Sequence, residues 1–158
     1  MRTIEGVPPA PRLRMAIVIS KYHDFITNRL QSGALAALAA AGVSDDAVAI
    51  VKVPGAFELP TAARHAASSG QFDAVICLGC LIRGETPHFE YIASAVAHGL
   101  TAAAGDTGIP ITFGVLTTNS VEEALERAAD GPSNKGWEAA VAAIETATVV
   151  RQLAAPSS

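Results

Sequence analysis

The chain has 158 residues, of which half are apolar, 5% are aromatic and 16% are charged. This length suits one domain with a full hydrophobic core. The net charge of −4 argues against a nucleic-acid-binding protein, which would carry a basic face. The charged fraction is well below the roughly 25% of an ordinary soluble domain, so we expect part of the surface to be buried against copies of the same chain.

The sequence predicts neither a targeting segment nor a membrane span. Residues 1–14 contain several prolines and no continuous apolar stretch, so they do not resemble a signal peptide. The alanine-rich stretch 33–43 is far shorter than the roughly 20 apolar residues that cross a bilayer. We therefore expect a cytoplasmic protein with no membrane partner.

Four short apolar segments predict β-strands, at residues 15–20, 48–53, 74–79 and 111–116. Their apolar residues are continuous rather than alternating, which is typical of parallel strands covered on both faces. Segments with helical patterns lie between and after them, at residues 25–41, 60–69, 86–104, from 120 to before Gly131, and 134–153. A further short segment, residues 3–7, precedes the first strand.

Several residues are expected to define the ends and buried faces of these helices. Asp24, Thr86 and Ser120 are predicted N-caps, with Pro87 at the first position of its helix. The predicted helix ends are Gly42, Gly70 and Gly105. The apolar stripes at helical spacing are Phe89, Ile92, Val96 and Leu100 in one helix, and Trp137, Val141, Ile144 and Thr148 in the last.

The alternation of strands and helices predicts a three-layer α/β/α fold. We expect a flavodoxin-like or Rossmann-like four-stranded parallel sheet with right-handed crossovers and helices on both faces. Residues 1–158 form one predicted domain, with 1–13 as an N-terminal arm and 154–158 as a flexible tail. Ligands of such sheets bind beyond the carboxyl ends of the strands. This rule selects residues 21–24, 54–60, 80–88 and 117–120 as candidate site segments.

Cys77 and Cys80 form a C-x-x-C pattern that could indicate a redox pair or half of a zinc site. Both cysteines are close to a predicted buried strand, in which residues three apart point to opposite faces. Their sulfurs would therefore not meet, and no second cysteine or histidine pair offers the remaining zinc ligands. We expect two reduced, buried thiols.

The segment 79–88 enters a predicted helix through a glycine-containing turn. It is not a nucleotide-binding P-loop, because Glu85 stands where the lysine belongs. The free amides of a helix start, together with the Thr86 hydroxyl, suit a single phosphate group. His88, in the first turn, is a candidate general acid or base. On the motif alone, an ordinary capped helix fits equally well. His23, His65 and His98 are interpreted as surface histidines.

The segment 53–60 is held between Pro54 and Pro60 and contains Gly55, which permits a close backbone approach. Phe57 and Glu58 follow at a helix start, where an aromatic face and an acceptor could bind a polar ring or a polyol. A structural turn with Phe57 in the core is the equally supported alternative.

Tyr22 adds a second aromatic ring on the first strand-end loop. Arg127 and Lys135 flank the loop 128–134, where such cations are usually solvated but could also bind a phosphate. The sequence contains no metal-ligand cluster, nucleophile elbow or dinucleotide-binding motif. Catalysis without a cofactor or metal is therefore the simpler interpretation.

Taken together, these segments resemble lumazine synthase. The resemblance extends from about Met15 to Val150 and depends on motifs in a fixed order: Asp24-Phe25-Ile26-Thr27, Val53-Pro54-Gly55-Ala56-Phe57-Glu58, Ile82-Arg83-Gly84 with Thr86 and His88, Phe113-Gly114, Glu126-Arg127 and Asn134-Lys135-Gly136. It implies condensation of 5-amino-6-(D-ribitylamino)uracil with 3,4-dihydroxy-2-butanone 4-phosphate, giving 6,7-dimethyl-8-ribityllumazine, phosphate and water. This reaction is the penultimate step of riboflavin biosynthesis, and riboflavin synthase is the implied functional partner.

The resemblance also implies roles for individual residues. His88 is the implied proton shuttle, and no metal or cofactor is implied. The implied pyrimidine and ribityl site comprises Tyr22, Ala56, Phe57, Glu58, Cys80, Leu81, Ile82 and Phe113. The implied phosphate site comprises Glu85, Thr86, Arg127 and Lys135. At position 22 the family usually has phenylalanine or tryptophan, so the aromatic face is kept and a hydroxyl is added.

A homopentamer with active sites at subunit interfaces is implied as well. Phe113, Arg127 and Lys135 would come from the neighbouring subunit, and residues 3–7 would add a strand to the sheet of an adjacent subunit. Pro132, in the turn before Lys135, favours free pentamers over a capsid of 60 subunits. The alternatives are a non-catalytic riboflavin- or lumazine-binding protein, an FMN-binding electron carrier and a structural shell protein.

Overall fold

The computed structural model describes residues 1–6 and 12–155. Its centre is a four-stranded parallel sheet with the strand order β2-β1-β3-β4. The strands are β1 (Met15–Ser20), β2 (Val48–Val53), β3 (Ala74–Ile82) and β4 (Ile111–Thr118). The helices are α1 (Asp24–Ala40), α2 (Leu59–Ser68), α3 (His88–Thr107), α4 (Val121–Arg127) and α5 (Lys135–Ala154).

The helices cover both faces of the sheet, which confirms the predicted three-layer α/β/α, flavodoxin-like architecture. Helices α1 and α5, with part of α4, share one apolar core with the sheet. Helices α2 and α3 share a second core on the opposite face. The strands β1 and β3 are central and completely apolar apart from Ser20, because both of their faces are covered.

The strands β1 and β2 have the predicted bounds, whereas β3 and β4 continue further than predicted, to Ile82 and Thr118. Pairing of Leu81 with Thr117 and of Ile82 with Thr118 extends the parallel ladder. The Arg83 amide then donates to the Thr118 carbonyl oxygen at 2.8 Å. The extension brings residues of the β3–α3 and β4–α4 loops side by side.

Three of the predicted helix boundaries are wrong. Asp24 is the first helical residue and His23 is the N-cap, since the chain turns in a left-handed conformation at His23. The Thr86 side chain does not cap α3, which begins at His88 after Pro87. Helix α3 also continues through Gly105 and ends at Gly108, whose φ of 72° suits glycine.

The other predicted caps and ends are confirmed. The Ser120 hydroxyl accepts a hydrogen bond from the Glu123 amide at 3.1 Å. Gly42 and Gly70 have positive φ angles of 83° and 74° just beyond their helices. In the predicted stripe of α3, Val96 and Leu100 are buried and the other two side chains are half-buried.

The buried face of α5 differs from the prediction. Ile144 is buried as expected, but Trp137, Val141 and Thr148 are only half-buried. Instead, the most buried positions of α5 are small residues: Gly136, Ala139, Ala140, Ala143 and Ala147. Small side chains allow α5 to approach α1 and the sheet closely, which an apolar stripe in the sequence does not indicate.

Cys77 and Cys80 belong to different cores on opposite faces of the sheet and are both free thiols. Burial raises the pKa of Cys77 to about 12 and that of Cys80 to about 11. The prediction of reduced, buried thiols is therefore confirmed.

The ends of the chain contribute little regular structure. Residues 1–6 contain no strand within this single chain, and the Gln152 side-chain amide donates to the Glu5 carbonyl oxygen at 2.7 Å. Residues 7–11 of the predicted arm, which include the last residue of the predicted strand 3–7, and residues 156–158 of the tail lie outside the described residues. Within the described part of the chain, no helix has the length and apolar character needed to cross a membrane.

Candidate active site

A cavity of about 540 Å³ opens at the carboxyl ends of β1, β2 and β3. This is the edge of the sheet at which the sequence predicted the site. Nine of the predicted site residues line the cavity: Tyr22, Ala56, Phe57, Glu58, Cys80, Leu81, Ile82, Thr86 and His88. The structure therefore brings together side chains that are up to 66 positions apart, Tyr22 and His88 being the two extremes.

The β1–α1 loop carries Tyr22 at the mouth of the cavity. The Lys21 and Tyr22 amides donate to the carbonyl oxygens of Val53 and Pro54, at 2.8 and 3.1 Å, so this loop is fastened to the end of β2. The ring of Tyr22 is 68% exposed. An exposed aromatic ring on a fixed backbone offers a flat surface on which a planar ligand can stack.

His23 also lines the cavity, although the sequence analysis interpreted it as a surface residue. Its φ of 60° is the only positive value of a non-glycine residue among those the structure describes. Its ring centroid lies 4.4 Å from that of Tyr22, and partial burial lowers the pKa of its imidazole. The available signal was its place in the segment 21–24, which directly follows a strand.

The β2–α2 segment forms another wall of the cavity. The Glu58 amide donates to the Gly55 carbonyl oxygen at 3.2 Å and closes a short 3₁₀ turn, Ala56–Glu58. Ala56 is buried, but Phe57 is 61% exposed. This exposure rules out the alternative in which Phe57 belongs to the core, so its ring is available to a ligand or to a neighbouring chain.

The opposite wall is the turn from β3 into α3. Gly84, Thr86 and His88 all face the cavity. The first amides of α3 have no acceptor within the helix and present the positive end of its dipole. Glu85 does not line the cavity, but lies in a separate open cleft on the other side of the turn. Of the two predicted phosphate-site residues in this turn, Thr86 therefore lines the cavity and Glu85 does not.

Gly55 and Gly84, the glycines of the two predicted site segments, also line the cavity. Phe89, Ile92 and Val121 line it too and, like His23, were not predicted as site residues. Val121 comes from the start of α4, which the extension of β4 brings to this edge. Phe89 and Ile92 had been assigned to an apolar stripe, and the cavity begins where that stripe leaves the core.

Besides Glu85, three predicted site residues within the described part of the chain do not line this cavity: Phe113, Arg127 and Lys135. Phe113 lies on the edge strand β4 and is 40% exposed. Arg127 and Lys135 are on either side of the α4–α5 loop, where the Asn134 side-chain amide donates to the Ala128 carbonyl oxygen at 3.0 Å. This hydrogen bond holds the two cation-bearing segments together.

His65 and His98 are exposed on α2 and α3 and line none of the described cavities, as predicted. Among residues 1–6 and 12–155, no three histidine, cysteine, aspartate or glutamate side chains are grouped as a metal site.

The fold and cavity define a class of protein: a flavodoxin-like α/β protein with a cavity of ligand size where strands lead into helices. Residues 12–151 match the family model of 6,7-dimethyl-8-ribityllumazine synthase. A relative from Syntrophus aciditrophicus (strain SB), named 6,7-dimethyl-8-ribityllumazine synthase, is 49% identical over 149 residues, which cover 94% of this chain and 97% of the relative. The chain belongs to the 6,7-dimethyl-8-ribityllumazine synthase family, whose members are transferases of riboflavin biosynthesis.

Family membership confirms the resemblance found in the sequence. Membership of this family also implies that the chain acts on small-molecule substrates and assembles as a homo-oligomer.

Proposed function

We propose that this chain condenses 5-amino-6-(D-ribitylamino)uracil with 3,4-dihydroxy-2-butanone 4-phosphate at the cavity beyond β1, β2 and β3. The observation that carries the proposal is the convergence of an aromatic surface at Tyr22, a polar wall at Glu58 and a helix start beside His88 in one cavity. A planar polyol-bearing ring and a phosphate ester together require these three environments.

The pyrimidine ring stacks on Tyr22, with Phe113 of a neighbouring subunit closing the site. The ribityl chain lies along Ala56, Phe57 and Glu58, because the glutamate side chain and the backbone of this 3₁₀ turn can hydrogen-bond its hydroxyl groups. Cys80, Leu81 and Ile82 form the floor at the end of β3. These residues position the substrate amine for attack on the ketone.

The phosphate ester binds at the start of α3. The backbone amides of Glu85 and Thr86, the Thr86 hydroxyl and the dipole of a 20-residue helix supply the donors. Arg127 and Lys135 of the neighbouring subunit supply the balancing positive charge. Because phosphate leaves during the reaction, the site must bind the anion reversibly, which a few hydrogen bonds at an exposed turn allow.

His88 moves protons during the condensation. The 5-amino group attacks the ketone carbon and forms an imine with loss of water. Phosphate is then eliminated, the resulting enol becomes a ketone, and the ribityl-bearing amine closes the ring with loss of a second water. Each step transfers protons to or from nitrogen, oxygen or carbon, and none changes the overall oxidation state. The proposed catalysis therefore needs neither a metal nor a redox cofactor.

We further propose a homopentamer with its sites between subunits. The separation of Phe113, Arg127 and Lys135 from the cavity supports this arrangement, because one chain then carries halves of two sites. Large exposed side chains on edge strands, Ile50 on β2 and Phe113 on β4, give the chain apolar surface for such contacts. Pro132 in the α4–α5 loop favours pentamers over the 60-subunit capsid. We place this enzyme in the cytoplasm, with riboflavin synthase as the consumer of its product.

The test is a steady-state assay with both substrates, combined with the mass from light scattering. We expect lumazine fluorescence to increase faster than in the spontaneous reaction, at the mass of five chains. Binding of riboflavin or lumazine without turnover would instead support the non-catalytic alternative and contradict the proposal. A mass of 60 chains would contradict the pentamer alone.

A further inference from the structure

Arg83, the residue that follows β3, has a side chain held by three contacts. Its Nε donates to the Asn119 Oδ1 atom at 3.0 Å. Its guanidinium forms an ion pair with the Glu90 carboxylate. The guanidinium carbon also lies 4.7 Å from the centre of the Phe89 ring, a cation–π distance. Arg83 is therefore the meeting point of three segments.

These contacts enclose the turn Gly84–Pro87. Arg83 precedes the turn, whereas Phe89 and Glu90 follow it in the first turn of α3 and flank His88 on its C-terminal side. A β-carbon on Gly84 would meet no atom within 4 Å, so packing does not hold this part of the turn. The Arg83 side chain thus connects the two ends of a segment that has little support of its own.

Asn119 provides the fixed end of this connection. The backbone amide of Asn119 donates to the Glu123 Oε2 atom at 2.6 Å, which attaches Asn119 to the first turn of α4. The Arg83 amide also donates to the Thr118 carbonyl oxygen at 2.8 Å. Arg83 therefore fastens the β3–α3 turn to the β4–α4 loop through both its backbone and its side chain.

The charge of Arg83 is paired within the protein. A cation next to a phosphate-binding turn would ordinarily be assigned to the phosphate. Here the guanidinium is balanced by Glu90, and Arg83 lines the open cleft that it shares with Glu85 and Thr86, not the cavity that contains His88. Exposed ion pairs contribute little to global stability, so the effect of this one is local.

We propose that Arg83 is a positioning residue that holds the turn Gly84–Pro87 and His88 in their reactive geometry without binding substrate. This inference rests on the proposed function, because the turn and His88 matter only if they bind and convert the phosphorylated substrate. A small displacement near reacting atoms can cost about a hundredfold in rate, far more than the loss in stability would suggest.

The first experiment compares Arg83→Met with Arg64→Met. Methionine keeps an apolar stem beside Phe89 but removes the charge and the donors. Arg64 forms the matched exposed ion pair with Asp106, at 2.9 Å, away from the site. We expect Arg83→Met to lower kcat at least tenfold and to raise the KM for the butanone phosphate severalfold, with the KM for the pyrimidine within twofold. Arg64→Met should leave all three within twofold. Equal behaviour of the two variants would overturn the proposal.

The second experiment uses Glu90→Gln, which separates positioning from direct phosphate binding. If Arg83 acts through Glu90, this substitution reproduces the loss of kcat, and the double variant is no worse than Arg83→Met. If Arg83 binds phosphate, releasing it from Glu90 would strengthen binding of the phosphorylated substrate. Such a gain would overturn the proposal, and this variant alters only an exposed carboxylate, so folding is not at risk.

Hydrogen exchange of the amides of residues 84–91 gives a measurement that does not need activity. We expect faster exchange in Arg83→Met than in the unmodified enzyme, and no change in Arg64→Met, with both variants at the same assembled mass. Unchanged exchange in Arg83→Met would contradict the positioning role. If the unmodified chain makes no lumazine, the proposed function fails, whereas exchange still reports whether Arg83 holds the turn.

Discussion

The Asn134 side-chain amide occupies the space that a β-carbon on Gly33 would need, and this fit joins α5 to α1. A few ångströms away, a β-carbon on Gly136 would overlap the Leu30 carbonyl oxygen. The two glycines permit the helices to approach closely, and Asn134 is buried between them. The sequence motif Asn134-Lys135-Gly136 therefore has a structural role in addition to the lysine's proposed one.

Gly33→Ala is expected to destabilise the protein although alanine is the better helix former. The methyl group must displace Asn134, and overpacking of this kind typically costs about 1–3 kcal/mol. Gly105→Ala is the matched control, because Gly105 lies within α3 and a β-carbon there meets nothing within 4 Å. We expect Gly105→Ala to raise the free energy of unfolding by about 0.5–1 kcal/mol. Denaturant unfolding compares the two, and stabilisation by both substitutions would contradict the fit.

Asn134→Asp tests the connection between this helix crossing and the proposed phosphate site. The aspartate retains the oxygen that accepts from the amides of Gly136 and Trp137, at 2.8 and 3.1 Å. It loses the donors to the carbonyl oxygens of Arg29 and Ala128, at 3.2 and 3.0 Å.

Leaving buried groups unpaired costs about 1–3 kcal/mol each, so we expect a loss of at least 2 kcal/mol in denaturant unfolding. The KM for the phosphorylated substrate should rise, because Asn134 joins the segments that carry Arg127 and Lys135. Ser120→Ala is the comparison variant: it removes the N-cap of α4 and should lower the free energy of unfolding by about 1 kcal/mol. A smaller loss for Asn134→Asp than for Ser120→Ala would contradict this account.

Mixing two impaired variants tests whether the site is shared between chains. His88→Ala removes the proton shuttle and Arg127→Ala removes the phosphate cation, and each alone should lower the activity, His88→Ala through kcat and Arg127→Ala through KM. After the two are unfolded together and refolded, an intact site forms wherever a His88 half meets an Arg127 half from the other variant. Random assembly into rings gives about a quarter of such sites. Recovery of no activity above the separate variants would place both residues in one chain's site.

We expect the protein to lose stability in alkali because both cysteines are buried. Burial raises the pKa of Cys77 and Cys80 to about 12 and 11, from an ordinary value of 9.0. Above pH 9 the unfolded thiols release protons that the folded thiols retain, so unfolding becomes more favourable. The contribution is fully present below pH 9 and is lost as the pH rises towards 12.

Between pH 8 and pH 11, the melting temperature should decrease less for Cys77→Ala than for the unmodified chain. At pH 8 neither thiol should react with a thiol reagent until the protein unfolds. Rapid labelling of the native protein would show that the sulfurs are accessible.

We expect the protein to lose stability at acidic pH because the His23 imidazole is partly buried. Burial lowers the pKa of its imidazole below the ordinary value of 6.5. The folded protein therefore binds a proton less readily than the unfolded chain. The stability contribution is complete above pH 6.5 and is lost as the pH falls through the folded pKa. His23→Asn, which tolerates the left-handed backbone, should reduce the decrease in melting temperature between pH 7 and pH 5. His65→Asn, at an exposed position of α2, should leave that decrease unchanged.

The sheet could be predicted because its signal is local. Met15–Ser20 and Val48–Val53 are continuous apolar segments, and their bounds are those of β1 and β2. The extension of β3 to Ile82 could not be predicted, since it depends on pairing with Thr118 in a strand 36 positions away. Likewise, α3 ends at Gly108 rather than Gly105 because Gly108 is the glycine that adopts a positive φ. In the sequence, either glycine could end the helix.

Much of the lining of the cavity could be predicted from the sequence, because strand ends select a few loops. Tyr22, Glu58 and His88 were located in this way and line one cavity. His23 was missed because a histidine in a left-handed conformation has no sequence signature that distinguishes it from a surface histidine. The place of Arg83 was missed for a related reason: its partner Asn119 becomes a neighbour only when β3 and β4 pair, and Glu90 only when the chain turns into α3.

The separation of Arg127 from the cavity that contains His88 has a consequence for inheritance. On the proposed arrangement, a chain damaged at both positions spoils the site on each of its two sides. A cell producing intact and damaged chains in equal amounts would then retain only about a quarter of its sites. A mutant allele of this kind would therefore remove more sites than a deleted gene, which would cost only half of the chains.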